Sequence, residues 1–405
     1  MKRFAIAILS LTLTGIPAVA RAMDLPFNGY LNYSMGARLV DDPTAPDDFL
    51  LNETRFQLDI IHDADAASME FRADFVNDRV LGNTYIDIRE AYVQLTPTDS
   101  IDLKVGTQIF TWGTGDFVFL NDLFPKDWQS YFIGRADEYL KKPADGIRAT
   151  WYGDSLNLDL VWMPVFQPDA YISGERISYW GGTGKTGPAN GPINPVEPDR
   201  TMGNSQWAAR LYGTFGGVES ALYAYRGSYG TPKGFDTVLA RPFFPRLEAW
   251  GASAQSAIFG GIGNAEVAWY NSLDDAGPND FLPNSEVRGL LGFSHDIARD
   301  QTLGVQAYLE HADDFPDVAR TDQDRWWVTL RYTGLFMQQN LILSWFSFYS
   351  PNEKDFFLRP KATYKVSDEV TATMGGNIFL GKDDNTFFGQ FDDNTNVYAS
   401  LEYSF

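Results

Sequence analysis

The chain has 405 residues, with 53 acidic against 32 basic side chains, a formal charge of −21 and no cysteine. The missing thiol excludes disulfides, thiolate catalysis and cysteine-built metal sites, and the acidity argues against nucleic-acid binding, which needs a basic face. The 30 Phe, 20 Tyr, 11 Trp and 36 Gly at moderate overall hydropathy suit strands that are apolar on one side only.

At the start, Lys2 and Arg3 precede an apolar run from Phe4 to Ala20, followed by Ala20-Arg21-Ala22. A charged head, an apolar middle and a small-residue end make a secretory signal. Ser10, Thr12, Thr14 and Pro17 interrupt the run, and a spanning helix needs ~20 apolar residues. Residues 1–22 are therefore expected to be removed before Met23, leaving 23–405 as a single domain of charge −24. No later segment approaches a membrane helix, which excludes a helical membrane protein.

From there the chain reads as segments of alternating polarity. They fall at 27–40, 50–61, 67–76, 84–96, 101–112, 145–152, 155–163, 205–215 and 217–228. Nine more follow at 247–258, 262–272, 286–297, 301–311, 324–334, 339–349, 355–365, 369–380 and 394–405. Each is near the about 9–11 residues that a tilted strand needs to cross a bilayer. Short connectors such as Thr96–Ser100, Gly153–Ser155, Phe215–Gly217, Ala298–Gln301 and Ser367–Glu369 follow every second segment. Long ones, 113–144, 164–204, 229–246, 273–285, 312–323 and 381–393, take the intervening places. A soluble sandwich has no reason to sort its loops by parity. The fold class is all-β: a transmembrane antiparallel β-barrel of about 18 strands, with short periplasmic turns, long extracellular loops and both termini inside. With strands starting so near the cleavage site, no N-terminal plug domain of the kind active transporters carry is expected.

Face assignments follow from the period of two. Phe56, Leu58 and Ile60 point out against Arg55, Gln57 and Asp59. Met69, Phe71 and Phe75 oppose Glu70, Arg72 and Asp74, and Leu156, Leu158, Leu160 and Trp162 oppose Asn157 and Asp159. A cation on the lipid side costs about 2–4 kcal/mol at mid-membrane. Arg55, Arg72, Arg148, Arg210, Arg288, Arg331, Arg359 and Lys361 are accordingly placed on the pore lining. Inward acids, among them Glu53, Asp59, Glu70, Asp74, Asp159, Glu266, Glu286 and Glu310, nearly balance the cations. Most of these charges are expected to pair across neighbouring strands, with a few left to set selectivity. Residues 87–93 break the alternation, which a β-bulge near Arg89 or Glu90 repairs. Segments 247–258 and 339–349 are ambiguous in register. Trp112, Trp151, Trp162, Trp207, Trp250, Trp269, Trp326 and Trp345 sit near segment ends, as interface girdles do.

Connector 113–144 is long, rich in Asp, Asn and aromatics, and follows a strand of a wide barrel. It is the candidate to fold inward and narrow the lumen, with Asp116, Asn121, Asp122, Asp127, Arg135 and Asp137 as constriction residues and a short helix starting near Asp127. An external lid that touches no solute is the alternative. Connector 164–204 is a long outer loop and a second contributor to the constriction.

Arg89-Glu-Ala-Tyr-Val93, then Gly106-Thr-Gln-Ile-Phe-Thr-Trp-Gly113, then Asn121-Asp-Leu-Phe-Pro125 together resemble the alginate-export-type porins and their relatives. The match covers roughly 84–165. It implies an outer-membrane porin barrel, but relatives often carry Arg where this chain has Thr107, which bears on a polyanion preference. The ending Asn394–Phe405 likewise resembles the closing strand of bacterial outer-membrane barrels: Val397, Ala399, Leu401, Tyr403 and Phe405 share one face. That resemblance implies that Tyr403 and Phe405 form the signal read by the barrel-assembly machinery.

Acidic doublets (Asp41-Asp42, Asp47-Asp48, Asp274-Asp275, Asp313-Asp314, Asp383-Asp384, Asp392-Asp393) recur in the outer loops. They form either a solvated, electronegative rim or a Ca²⁺-holding surface, in a layer where divalent ions bridge lipopolysaccharide. Gly182-Thr-Gly-Lys-Thr186 evokes a phosphate loop, but the required first Gly falls on Tyr179. Of the three histidines, His62, His295 and His311, only His311 could serve an outer-wall lipase as base, and no serine can be placed beside it. The chain is expected to be no enzyme, to need no cofactor or metal, and to pass small hydrophilic solutes passively while sitting in outer-membrane lipid and lipopolysaccharide. A dedicated glycan or organic-acid carrier, or a barrel plugged by its own loops, remain the alternatives.

Overall fold

The computed structural model describes residues 27–64, 67–275, 277, 281–315 and 322–405; the expected signal segment, 1–22, lies outside them. The first nine wall strands are β1 Phe27–Arg38, β2 Phe49–Ala64, β3 Ala67–Asp78, β4 Asn83–Thr98, β5 Ile101–Gln108, β6 Ala144–Tyr152, β7 Asn157–Met163, β8 Gln206–Phe215 and β9 Val218–Ser228. The wall continues with β10 Arg246–Ile258, β11 Gly261–Ser272, β12 Glu286–Ala298, β13 Gln301–Ala312, β14 Asp324–Phe336, β15 Leu341–Ser350, β16 Asp355–Lys365, β17 Val370–Leu380 and β18 Asn396–Ser404. Each pairs antiparallel with its sequence neighbours, and β1 pairs with β18 from Tyr30↔Ser404 to Arg38↔Asn396. The eighteen-stranded wall is closed. Closure satisfies every strand edge, the condition for placing backbone in hydrocarbon.

All eighteen segments expected from alternation form wall strands, with the fifth ending early at Gln108. The start of β1, the C-terminus and the short connectors lie at one end of the barrel, here the turn end. The opposite, loop end carries the long connectors, except that those after β3 and β15 shrink to 79–82 and 351–354. The outer face is apolar: Met69, Phe71, Phe75, Leu160, Leu222, Val267, Leu291 and Leu401 are all exposed there.

The break in β4 is a bulge. Arg72 faces Glu90 but Ala73 faces Ile88, which leaves Arg89 unpaired and lets both Arg89 and Glu90 be buried on the inside. In β10 the ambiguity resolves with Leu247, Ala249 and Ser253 buried inside and Trp250 exposed. In β15, Phe346 and Phe348 face in while Trp345 and Tyr349 face out. The inner face is therefore not uniformly polar. Phe346, Phe348, Phe357 and Phe379 of β15–β17 are buried beneath chain that folds into the lumen, so they meet protein instead of water.

Five tryptophans expected in girdles lie on the outer face near the loop end. Trp162 pairs with Trp207, Trp250 pairs with Trp269, and Trp326 stands near the start of β14. Trp151 marks the turn end of β6. Two differ. Trp345 sits midway along β15, and Trp112 has left the wall: it is buried inside against Phe124 and Tyr223. Because β5 stops at Gln108, the residues after it are loop, and alternation no longer decides where they point.

Candidate functional site: the lumen and its inward-folded loop

After β5 the chain turns into the barrel and crosses it in two lobes before returning to β6. The first lobe, residues 113–124, is a finger aimed at β10–β15. Its tip is held by Glu266 of β11, whose carboxylate accepts from the backbone N–H groups of Thr114 and Gly115, the Thr114 hydroxyl and the Asn121 amide. The Gly115 and Asn121 bonds are each 2.7 Å. Bonds to a charged acceptor are the stronger kind, and successive N–H groups around a carboxylate form an anion nest. Farther along, the Asp116 N–H donates to Gln306 at 2.8 Å and its carboxylate meets Arg331 at 3.0 Å. Asn121 lies so close over β10 that a Cβ on Gly251 would sit 1.8 Å from its Oδ1; only glycine leaves room.

The second lobe, 126–142, carries the short helix α1, Trp128–Ile133. Six residues cannot hold a helix alone. Asp127 caps it by accepting from the Ser130 N–H at 2.8 Å, and Phe132 packs within 5.3 Å of the Phe357, Phe379 and Phe391 rings. Gly134 ends it at φ 91°, where a Cβ would strike the Tyr398 ring at 2.2 Å. Beyond it, Arg135 pairs with Glu53 of β2 and Asp137 meets Arg359 at 2.9 Å and also Lys361. Arg89, freed by its bulge, donates to the carbonyls of Glu138 and Lys141. Tyr139 donates to Asp74 at 2.6 Å. The two lobes are joined at their base by Asp122, which accepts from Thr111 at 3.0 Å and Lys126 at 2.9 Å.

The candidate residues thus separate by partner. Arg55, Arg72, Arg148, Arg210 and Arg288 pair with wall acids: Asp74 and Glu53, Asp59 and Glu70, Asp159 for both Arg148 and Arg210, then Glu286 and Glu310. Arg331, Arg359 and Lys361 pair with the loop instead. Of the loop residues, Asn121 and Asp122 are buried, and Asp127 is spent on the cap. The Asp116 and Asp137 side chains keep about a third of their surface, 34% and 32%. Burial pushes the Asp116 carboxyl up, and Arg331 offsets only part of that. Burial would also raise Asp137, but Arg359 and Lys361 outweigh it and hold it down to about 2. Burial would lower the Arg135 guanidinium, and Glu53 reverses the effect.

The finger divides the interior. On the loop side lies a chamber of about 550 Å³ floored by Phe117, Val118, Phe119, Leu123 and Phe124. On the turn side, a chamber of about 740 Å³ is roofed by Gly113 and Thr114 and lined by Asn157, Arg210, Tyr212, Glu219, Ser253 and Gln255. Connector 164–204 reaches over the loop end to the far wall. Arg176 is buried there, donating to the Leu50 carbonyl at 2.7 Å and pairing with Asp78, and Ser178 bonds Asn394.

No protein-family model matches the sequence, and no curated protein matches it. Among solved structures the chain is similar to OccAB4 of Acinetobacter baumannii, with TM-score 0.57 at 10% identity over 94% of this chain and 97% of that one. It is also similar to OccAB3 of the same organism, at TM-score 0.56 and 11% identity over 94% and 98%. OccK11 of Pseudomonas aeruginosa gives 0.52 and 10% over 93% and 95%. The fold is that of bacterial outer-membrane porins. The likeness is to the porin barrel in general and not to the alginate-export type in particular.

Several residues that hold the loop were not singled out from the sequence for that part: Glu266, Gln306, Glu53, Asp74, Arg89 and Asn396, whose amide donates to the Phe132 carbonyl at 3.0 Å. The alternation marks Glu266, Glu53 and Asp74 as inward, but nothing local reveals that a loop more than 130 residues away in the chain supplies the donors for Glu266. Among the acidic doublets, Asp392 and Asp393 meet Lys185 of the phosphate-loop-like ribbon, and Asp274 meets Arg246. No cluster of three metal-ligating side chains occurs among the described residues. His311 bonds Asp324 at 2.7 Å across the strand pair.

Proposed function

We propose that the protein is an outer-membrane channel through which small hydrophilic solutes diffuse, with the 113–144 loop as its constriction. The observation that carries this reading is the pair of chambers on the two sides of an inward loop within a closed, lipid-compatible wall. A loop tied by Glu266, Gln306, Arg331, Arg359 and Glu53 to five different strands narrows the passage without needing energy input. Asp116 beside Arg331 and Asp137 beside Lys361 are the charges left partly open along it, and unpaired or half-open charges at the narrowest ring govern selectivity. The residues 1–22 act as the export signal, and Tyr403 with Phe405 as the signal for barrel assembly. Supporting the second part, the Phe405 ring stacks on Phe56 at 5.8 Å and meets Phe27 edge-on at 6.2 Å.

The motif resemblance raises a polyuronide as a solute to test. Thr107 speaks against it: its hydroxyl donates to Asp145 at 2.6 Å, so this position presents a carboxylate-bound hydroxyl and no cation. Reconstitution into planar bilayers tests the channel reading. Discrete conductance steps are expected; a purified, folded barrel that gives none would favour the barrel plugged by its own loops.

A further inference from the structure

The loop-side chamber has a lining unlike that of a simple hydrophilic passage. Partly exposed aromatic rings enter it from four separate parts of the chain: Phe119 and Trp128 from the inward loop, Tyr171 and Tyr179 from connector 164–204, Trp327 from β14 and Phe387 from the last outer loop. Leaving apolar surface against water costs about 25 cal/mol per Å², so a chamber serving only water and polar solutes gains nothing from this convergence. A ligand that covers the rings would recover the cost.

The ring positions are fixed. Trp128 donates its indole N–H to Asp169 at 2.8 Å, which holds the ring at the chamber wall 6.0 Å from Phe119. Trp327 is stacked on Tyr308 at 4.9 Å and lies 4.9 Å from Phe387. Its indole N–H is buried without an acceptor among the described residues, so the ring offers the chamber apolar surface and no donor.

The cations of the chamber are already paired, and its remaining acid, Asp169, accepts from the Lys126 backbone N–H at 3.0 Å and from the Trp128 indole. Lys126 meets Asp122 at 2.9 Å, Arg325 meets Glu310 at 3.1 Å and Glu353 at 3.4 Å, and Lys233 lies 3.6 Å from Glu286, which Arg288 shares. An anionic or cationic ligand would have to displace a partner, at a cost that a neutral one avoids. The volume, about 550 Å³, falls within the roughly 300–1,000 Å³ of small-molecule sites.

We propose that this chamber is a binding site for uncharged aromatic compounds of one or two rings, stacked among Phe119, Trp128 and Trp327. The site names a solute class for the channel proposed above and rests on that reading only for the passage that follows binding. Calorimetric titration of the full-length barrel in detergent, with benzamide, benzoate and glucose as probes, tests the binding itself. Benzamide is expected to saturate, benzoate to bind no tighter, and glucose to give no saturable heat. Loss of one stacking ring and its contacts, Phe119→Ala or Trp327→Leu, is expected to weaken benzamide by about tenfold, with barrel migration on unheated gels showing that each variant is folded. Glucose saturating where benzamide does not, benzoate binding tenfold tighter than benzamide, or unchanged benzamide affinity in both folded variants would each overturn the proposal. Benzamide binding without conductance steps would sink the channel reading and leave the site standing; conductance without benzamide binding would do the reverse.

Discussion

Glu266→Ala should loosen the finger while leaving the wall intact. In the native chain one buried carboxylate takes four donors from the finger: two backbone N–H groups, a hydroxyl and an amide. Each buried donor left without a partner costs about 1–3 kcal/mol, so the two backbone groups alone put about 2–6 kcal/mol at stake. The turn-side chamber abuts Gly113 and Thr114, and water entering from it would solvate them, which favours the lower part of the range, about 2–3 kcal/mol. At about 1.4 kcal/mol per tenfold, the detached finger then becomes about 30- to 140-fold more populated. Single-channel recording in planar bilayers reads this as added current noise and a larger mean conductance. Glu266→Gln removes the same charge but keeps an acceptor in place, and should fall between the two. Open-channel noise and conductance equal to wild type in a folded Glu266→Ala barrel would show that the nest does not hold the finger.

Acidification should separate the two half-open loop carboxylates. Burial raises Asp116 while Asp137 is held down, so Asp116 takes up a proton first and leaves Arg331 uncompensated; reversal potentials should move toward anions as the pH falls, before Asp137 titrates, and an unchanged value would count against Asp116 facing the passage. Asp137, held down to about 2, contributes loop docking that is complete above its unfolded value of about 4 and fades only as pH falls toward 2, so in an Asp116→Asn barrel, which lacks the earlier proton uptake, conductance noise should stay flat until that strongly acidic window; noise that rises by pH 5 in that variant would refute the assignment. Arg148→Glu places a second acid beside Asp159, where the native Arg148 side chain is 34% exposed, and should shift selectivity toward cations by reversal potential; no shift would mean the pair is sealed into the wall. Removing Phe405 takes away the ring stacked on Phe56 and should lower the yield of folded barrel in the outer membrane without altering single-channel conductance, a reading that normal yield would defeat.

Alternation with period two settled the wall from the sequence alone. A strand half in lipid and half facing the lumen must repeat every second residue, and the sorting of short and long connectors follows from the chain returning to the same end after each pair. Even the Arg89 bulge is legible, because an extra residue breaks the phase on both sides of itself. The same rule stops where the strand stops. Trp112 reads as the end of a strand, yet β5 ends at Gln108 and the ring is buried inside the lumen; a loop has no fixed phase to read. What the loop does was decided by tertiary contacts. Glu266 and Glu53 are legible as inward acids, but their partners come from chain distances that no local pattern encodes, and Arg331, Arg359 and Lys361 look identical in sequence to the arginines that pair within the wall. Whether an inward cation meets a neighbouring strand or the loop crossing the lumen depends on where that loop packs, and the packing is set by the aromatic bed of Phe346, Phe348, Phe357 and Phe379, which only the folded barrel brings together.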